Sequence, residues 1–316
     1  MSQPLVSIVV PTHNRKDMVI RLLNSILTGT YKNVEIIVVD DASTDGTEDA
    51  LRDVFKGIHK IRIVRNISNL HAAASRNAGT RISKGKYIFY IDDDNVLHKN
   101  AVSELVRVFE ENEKIGELGL VNMSFRDKKK VLWLVTMRNM CTSKTYLPVD
   151  LQEYSKNAMW DTVDVPNAFM MRSSVIIKYG ISFCEKFGIM YEESDPAYRI
   201  RKVGYSIKVV RDAIIYHDVG DYLSHFINDG RRFFVFARNR IIFHSLYSTK
   251  IQLLCLLSVW IWIFMLYYWY KIISYTGDRN FSLFRKISLM FQYLQGNIAG
   301  LYFVFSKEKL VYPKVI

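Results

Sequence analysis

The first hundred residues alternate between short apolar runs and longer amphipathic segments. The apolar runs are rich in β-branched residues and predict buried strands at residues 5–10, 34–39, 61–64 and 87–91. The segments between them repeat apolar residues at helical spacing and predict helices at residues 18–27, 47–56 and 72–82. Strands that alternate with helices indicate an α/β fold, in which helices flank a mainly parallel central sheet.

After residue 100 the pattern is looser. Residues 117–125 and 131–137 read as strands that pair across a basic turn at residues 126–130. Further strands are predicted at residues 162–171 and 213–216, and a helix at residues 194–203.

The C-terminal part of the chain is more apolar. Residues 251–270 carry no charge, and residues 287–306 form a second apolar stretch. A membrane span needs about 20 such residues, and tryptophan and tyrosine between the flanking Lys250 and Lys271 match interfacial anchoring. We expect both segments to associate with a membrane, by crossing it or by lying on it; the alternative is a pair of buried helices. Upstream, residues 226–243 interleave phenylalanine with arginine, which predicts an interfacial helix or a packing helix with an arginine-rich outer face.

The charge is divided unevenly along the chain. The net charge is +12, but residues 1–195 carry 26 basic and 25 acidic residues, whereas residues 196–316 carry 17 and 6. Because the basic excess coincides with the apolar stretches, it indicates an anionic membrane surface as the partner, and no nucleic acid. The three cysteines form no C-x-x-C pair, which argues against a disulfide scaffold or a cysteine zinc site and fits a reducing compartment. The N-terminal residues predict no signal peptide.

Two aspartate clusters follow predicted strands. Asp40 and Asp41 come directly after the second strand, and Asp92, Asp93 and Asp94 after the fourth. Ligands of open α/β sheets bind outside the carboxyl ends of the strands, so both clusters are expected at one crevice. Three adjacent carboxylates there predict a divalent cation such as Mg²⁺ or Mn²⁺. The alternative is that they only cap the next helix.

Several nucleotide-binding and catalytic motifs are absent from the sequence. Residues 11–15 stand where a phosphate-binding glycine loop would follow the first strand, and there is no G-x-G-x-x-G, P-loop or G-x-S-x-G motif. A third acidic group, Glu192, Glu193 and Asp195, precedes a predicted helix. By itself it is also explained as a helix N-terminus stabilised by the helix dipole.

Four motifs in order resemble those of family 2 glycosyltransferases. They are VSIVVPTHNR at residues 6–15, VVDDASTDGT at 38–47, NAG at 77–79 and YIDDDN at 90–95. The resemblance implies a GT-A fold, a nucleotide-sugar donor of the UDP, dTDP or GDP type, a divalent metal, Mg²⁺ or Mn²⁺, and transfer with inversion at the anomeric carbon.

The resemblance also implies roles for individual residues. Asp94 would be the main metal ligand, with Asp92 and His217 as further candidates. The general base would be Glu193, which stands where the family carries aspartate, with Asp195 as the alternative. The residues implied in nucleotide binding are Pro11, Thr12, His13, Arg15, Asp41, Arg76, Asp92 and Asp93.

Together these observations predict a division of the chain. Residues 1–219 would form the catalytic domain, with a nucleotide-sugar half at 1–110 and an acceptor half at 111–219, and residues 220–316 would form membrane-associated helices. A lipid-linked or other glycan acceptor at the cytoplasmic face of the cell membrane follows from this division, and a homodimer is compatible with it. Alternative functions are a polyprenyl-phosphate sugar synthase and a non-catalytic membrane scaffold. A nucleotidyltransferase lacks its glycine-rich loop here, and a processive synthase lacks its Q-x-x-R-W motif.

Overall fold

The computed structural model describes residues 3–146, 157–218, 231–275, 282–306 and 308–314. In these ranges the strands are β1 (Val6–Thr12), β2 (Val34–Asp40), β3 (Ile61–Arg65), β4 (Tyr87–Ile91), β5 (Asn95–Leu97), β6 (Ile115–Ser124), β7 (Val131–Trp133), β8 (Met137–Arg138), β9 (Thr145–Tyr146), β10 (Met159–Asp161), β11 (Ala168–Arg172) and β12 (Ser206–His217). The helices are α1 (Lys16–Leu27), α2 (Thr47–Val54), α3 (His71–Ile82), α4 (Ala101–Glu111), α5 (Ser173–Tyr179), α6 (Ser194–Lys202), α7 (Arg231–Tyr247), α8 (Lys250–Ile273) and α9 (Leu283–Phe305).

The central sheet is mixed. Its order is β10-β12-β6-β11-β4-β1-β2-β3, with β5 paired to β12 and β7 to β6. Strands β4, β1, β2 and β3 are parallel, as predicted for the first hundred residues, whereas β11 runs antiparallel between β4 and β6. The parallel register sets Thr12 beside Asp40, so the carboxyl ends of β1 and β2 lie side by side.

Helices cover both faces of the sheet. Helices α1, α2 and α4 pack on one face through residues such as Leu22, and α3, α5 and α6 pack on the other. Strand β1 serves both layers because Ile8 and Val9 point to opposite faces. Close approach of α3 to β1 depends on Gly79, where a Cβ would overlap the side chain of Val9.

The acceptor half follows the pattern only in part. The predicted pairing across the basic turn is confirmed, since β6 and β7 are antiparallel with Asn122 opposite Trp133. The predicted strand at 162–171 is shorter, and only its end forms β11. Pro166 has no N–H to donate, and Asn167 has a φ of 67°, so the chain bends before β11 begins.

The C-terminal helices pack on the rest of the chain. Phe233, Phe243 and Arg240 of α7 are buried, so the arginine that the pattern places on an outer face lies inside. Within the described ranges, α8 is the one helix long and apolar enough to cross a membrane, whereas α9, which contains the second predicted segment, falls below that criterion. Residues 219–230, where the predicted domain boundary and the start of the predicted phenylalanine–arginine helix fall, lie outside the described residues.

Candidate active site

The carboxyl ends of β1, β2 and β4 open onto one cavity of about 840 Å³. It is lined by these predicted nucleotide-binding residues: Pro11, Thr12, His13, Arg15, Asp41, Asp92 and Asp93. At its floor, the Thr12 hydroxyl donates to Asp93 over 2.7 Å, and the Arg15 guanidinium donates to Asp93 and Asp94 over 2.9 and 3.1 Å. Burial raises the pKa of Asp93 to about 6, against the opposing charge of Arg15.

We call this whole cavity the donor cavity. Asp41 holds the backbone at one end of it. Its carboxylate accepts the backbone N–H of Leu70 and of His71 over 2.9 and 2.8 Å. The ring of His13 is fixed by a 2.8 Å contact between its Nδ1 and the Asp41 carbonyl oxygen. The neighbouring Asp40 is buried and ion-paired with Arg65, so it braces the turn instead of facing the cavity.

Asp94 and His217 form the candidate metal site. His217 Nε2 lies 3.3 Å from Asp94 Oδ1. Burial alone would raise the pKa of Asp94, but the contact with His217 and the charge of Arg15 hold it below its usual value. No three His, Cys, Asp or Glu side chains converge to hold a metal within the described residues. A carboxylate and an imidazole do fit a cation that takes its remaining ligands from water and substrate phosphate.

Arg76 lies between three carboxylates. Its buried guanidinium contacts Asp92 at 2.6 Å, Glu193 at 2.7 Å and Glu192 at 3.4 Å. Asp92 is therefore ion-paired with Arg76, and the charge of Arg76 is engaged by protein carboxylates. Burial raises the pKa of Glu193 well above its usual range, although Arg76 opposes the shift.

Glu193 and Asp195 have different surroundings. Glu193 Oε1 is held by Arg76 and, at 3.2 Å, by the backbone N–H of Asn167, and its side chain lines a second cavity. Asp195 is fully buried, and its Oδ1 accepts the hydroxyls of Tyr247 and Tyr312 over 2.5 and 2.9 Å. Of the two predicted base candidates, Glu193 lines the second cavity, whereas Asp195 lines neither of the two described cavities.

The second cavity, of about 460 Å³, contains residues that the sequence did not single out. Trp133, Tyr191 and Phe236 give it aromatic walls, and Arg138 and Asp164 give it a charged pair with a 2.8 Å contact. We call it the acceptor cavity. No motif marks these residues, because they come from β7, β8, separate loops and α7.

The sequence is similar to those of bacterial glycosyltransferases. It is 26% identical over 174 residues to the glycosyltransferase GlyG of Streptococcus pneumoniae, covering 55% of this chain and 56% of that protein. It is 37% identical over 111 residues to the Escherichia coli protein named UDP-Glc:alpha-D-GlcNAc-diphosphoundecaprenol beta-1,3-glucosyltransferase WfaP, covering 35% of this chain and 43% of that one. The chain thus spans about half the length of these relatives.

The fold is shared with solved glycosyltransferases. The mannosyltransferase PcManGT of Pyrobaculum calidifontis, in complex with GDP-Man and Mn²⁺, superposes with a TM-score of 0.60 at 16% identity. The superposition covers 98% of this chain and 89% of that one, so the structure has the predicted GT-A fold. Residues 7–180, more than half of the chain, match the family model for glycosyl transferase family 2. The chain belongs to glycosyl transferase family 2.

Proposed function

We propose that this protein is a metal-dependent, inverting glycosyltransferase that moves a sugar from a nucleotide-diphosphate donor to the hydroxyl of a membrane lipid-linked glycan. The observation that carries the proposal is the position of Glu193. It borders the acceptor cavity and shares the Arg76 guanidinium with Asp92, which lines the donor cavity. A base at this junction stands where acceptor and donor would meet.

The donor cavity suits a nucleoside diphosphate. His13 offers a ring for the nucleobase to stack on, and Asp41 fixes the loop beside it. Asp94 and His217 would hold a divalent cation, which would act as a Lewis acid and offset charge on the departing diphosphate. Mn²⁺ suits this pair better than Mg²⁺ because an imidazole is a poor ligand for Mg²⁺.

Glu193 would act as the general base. Arg76 holds Oε1, and the Asn167 N–H is shared between Oε1 and Oε2 over 3.2 and 3.3 Å. Oε2 thus keeps a lone pair that can accept the proton of an acceptor hydroxyl. Its raised pKa makes it a stronger base than an ordinary glutamate. The hydroxyl oxygen attacks the anomeric carbon on the face opposite the leaving diphosphate, which inverts that carbon without a covalent enzyme intermediate.

The acceptor proposal rests on two further observations. Helix α8 exposes an apolar surface, and the relative WfaP is named for an acceptor carried on diphosphoundecaprenol. A polyprenyl phosphate acceptor has no hydroxyl proton to remove at neutral pH, so a base at Glu193 favours a glycan hydroxyl over that alternative. Free cysteines at Cys141, Cys184 and Cys255 agree with a location on the cytoplasmic face of the cell membrane.

Isothermal titration with UDP, dTDP and GDP, each with and without Mn²⁺, tests the donor site. We expect one of these nucleotides to bind tightly and only in the presence of Mn²⁺, and the variant Asp94→Ala to lose that binding. Folded protein that binds none of the three would contradict the proposal and favour the non-catalytic scaffold.

A further inference from the structure

The two C-terminal helices expose long apolar stripes. On α8 the stripe contains Leu254, Trp262, Leu266 and Tyr270, and on α9 it contains Phe284, Phe291, Ile298 and Phe305. Of the most apolar 18-residue stretch of α8, only 11% is buried. Apolar surface of this extent needs a partner. The contacts that both helices make with the rest of the protein restrict how the helices can be oriented against that partner.

Helix α9 is packed along α7 over its length. Gly296 and Gly300 allow the contact: a Cβ at Gly296 would overlap the carbonyl oxygen of Phe234, and one at Gly300 would lie 2.8 Å from Ile241 Cβ. Near its C-terminal end, Phe303 is buried with residues of α7 and of the catalytic part. Helix α9 therefore lies flat on α7 and does not project away from it.

Helix α7 is in turn fixed to loops of the catalytic part. The Asn239 side chain donates to the carbonyl oxygens of Phe187, Ile189 and Met190, each over 2.9 Å. Two of these loop residues, Phe187 and Ile189, line the donor cavity, together with Phe234 and Val235 of α7. The catalytic part, α7 and α9 thus form successive layers.

Helix α8 is anchored at three places along its length. Leu256 near its start and Ile272 near its end are fully buried. Between them, the Phe264 ring stacks under the Arg240 guanidinium at 4.4 Å. Because these contacts tie α8 to α7 and α9, an α8 that crossed a bilayer would draw both helices with it.

The segments on either side of α8 and α9 contact the same residue of the catalytic part. Tyr247, just before α8, and Tyr312, just after α9, both donate to Asp195 Oδ1. We infer that α8 and α9 do not cross the membrane but lie in one leaflet, with their apolar stripes as the membrane-binding surface. This inference rests on the membrane association in the proposed function.

The energetics favour this arrangement. If α9 spanned the bilayer, it would carry α7, with the buried Arg240 and Asn239, and the donor-cavity loops into hydrocarbon, where polar groups are costly. Lying flat, the stripes enter the acyl region while Lys250 and Lys271, both exposed, remain at the anionic headgroups. The acceptor cavity, which Phe236 of α7 lines, would then open near headgroup depth.

Depth measurement by spin labelling tests the inference. Leu254, Leu266 and Ile273 would be replaced one at a time by a spin-labelled cysteine, with Cys141 and Cys255 changed to serine; Cys184 is fully buried. In vesicles of phosphatidylethanolamine and phosphatidylglycerol, we expect all three labels at one shallow depth, about 5–10 Å below the headgroups. Depths that pass through the bilayer centre over the roughly 28 Å between the outer two labels would overturn the inference.

A charge substitution with a matched control gives the second arm. Leu266 is 61% exposed on α8, and Ile177 is 57% exposed on α5. We expect Leu266→Lys to lower the vesicle-bound fraction about tenfold, and Ile177→Lys to leave it unchanged. Equal effects would overturn the inference, as would a wild-type dimer that Leu266→Lys converts to a monomer, because the surface would then belong to a second copy. Nucleotide titration reports on the transferase proposal separately.

Discussion

The donor and acceptor cavities lie on either side of Arg76 and are built in different ways. The donor cavity has one side built from the ends of parallel strands, where Thr12 ends β1, Asp41 directly follows β2 and Asp93 lies close after β4; its other side comes from the loop at residues 185–189 and from α7. The acceptor cavity has no parallel strand ends: it is assembled from the short strands β7 and β8, from loops and from α7, and its charged pair, Arg138 and Asp164, joins residues of two separate segments.

This difference separates what each cavity contributes to function. Strand ends fix side chains within a rigid sheet, which suits the constant chemistry of a diphosphate and a metal. Loops vary more readily and suit recognition of one particular acceptor. On the proposed function, we therefore expect the donor cavity to carry the chemistry of transfer and the acceptor cavity to carry the acceptor specificity.

The largest effect is expected for Asp94→Ala. Removing the carboxylate that pairs with His217 takes away the proposed metal ligand, and the rate of Mn²⁺-dependent sugar transfer should fall about a thousandfold. Asp127→Ala, at an exposed carboxylate on the β6–β7 turn, is the control and should transfer at the wild-type rate. An unchanged transfer rate in Asp94→Ala would contradict the proposed metal site at Asp94 and His217.

The transfer rate and the stability of the protein should both depend on pH through Glu193, which lies between the two cavities. Burial raises the pKa of Glu193, and a base acts in its ionised form, so the transfer rate should fall about tenfold per pH unit below that raised pKa. The free energy of unfolding should change in the opposite direction. The raised pKa of Glu193 in the folded protein stabilises the fold at pH values below the pKa of the unfolded chain, and this contribution is lost as the pH rises through the pKa of the folded protein. Rate–pH profiles and thermal unfolding between pH 5 and pH 9 measure both trends. In Glu193→Gln the transfer rate and the thermal stability should both vary less with pH. An unaltered profile would show that another group causes the pH dependence.

Trp133→Ala and His13→Ala should affect the two substrates separately. Loss of the acceptor-cavity wall at Trp133 should raise KM for the acceptor about tenfold and leave KM for the donor unchanged. Loss of the ring at His13 should do the reverse. Steady-state kinetics with each substrate varied in turn measure this, and parallel changes in both KM values would show that the cavities do not act independently.

The smallest effect is expected for Tyr312→Phe. It deletes one of the two hydroxyls that donate to Asp195, and the free energy of unfolding should fall by about 1 kcal/mol. Because Asp195 is buried and lines neither the donor nor the acceptor cavity, the transfer rate should stay within about twofold of wild type. Denaturant unfolding and transfer assays measure the two quantities, with Tyr302→Phe, at an exposed residue of α9, as the unchanged control.

The sequence predicted the donor side well because local pattern determines it. Strand β4 has the predicted bounds, and parallel strands bring their carboxyl ends to one edge, so Asp41, Asp92 and Asp93 line the same cavity. Asp94 and His217 meet because β12 pairs with β5, which directly follows the aspartates.

The remaining contacts depend on tertiary structure. Arg76 could serve a diphosphate or protein carboxylates, and the choice depends on Glu192 and Glu193, more than a hundred residues away in the chain. The tyrosines that enclose Asp195 lie 52 and 117 residues from it. No local pattern encodes such partners, which is why the sequence left Asp195 open as an alternative to Glu193.

Single-turnover transfer by wild type, Glu193→Gln and Asp195→Asn tests the central claim most directly, using labelled nucleotide sugar and a lipid-linked acceptor. We predict that Glu193→Gln binds the donor normally but transfers about a hundredfold more slowly, while Asp195→Asn is less stable and transfers within about tenfold of wild type. A fully active Glu193→Gln beside an inactive, folded Asp195→Asn would contradict the account.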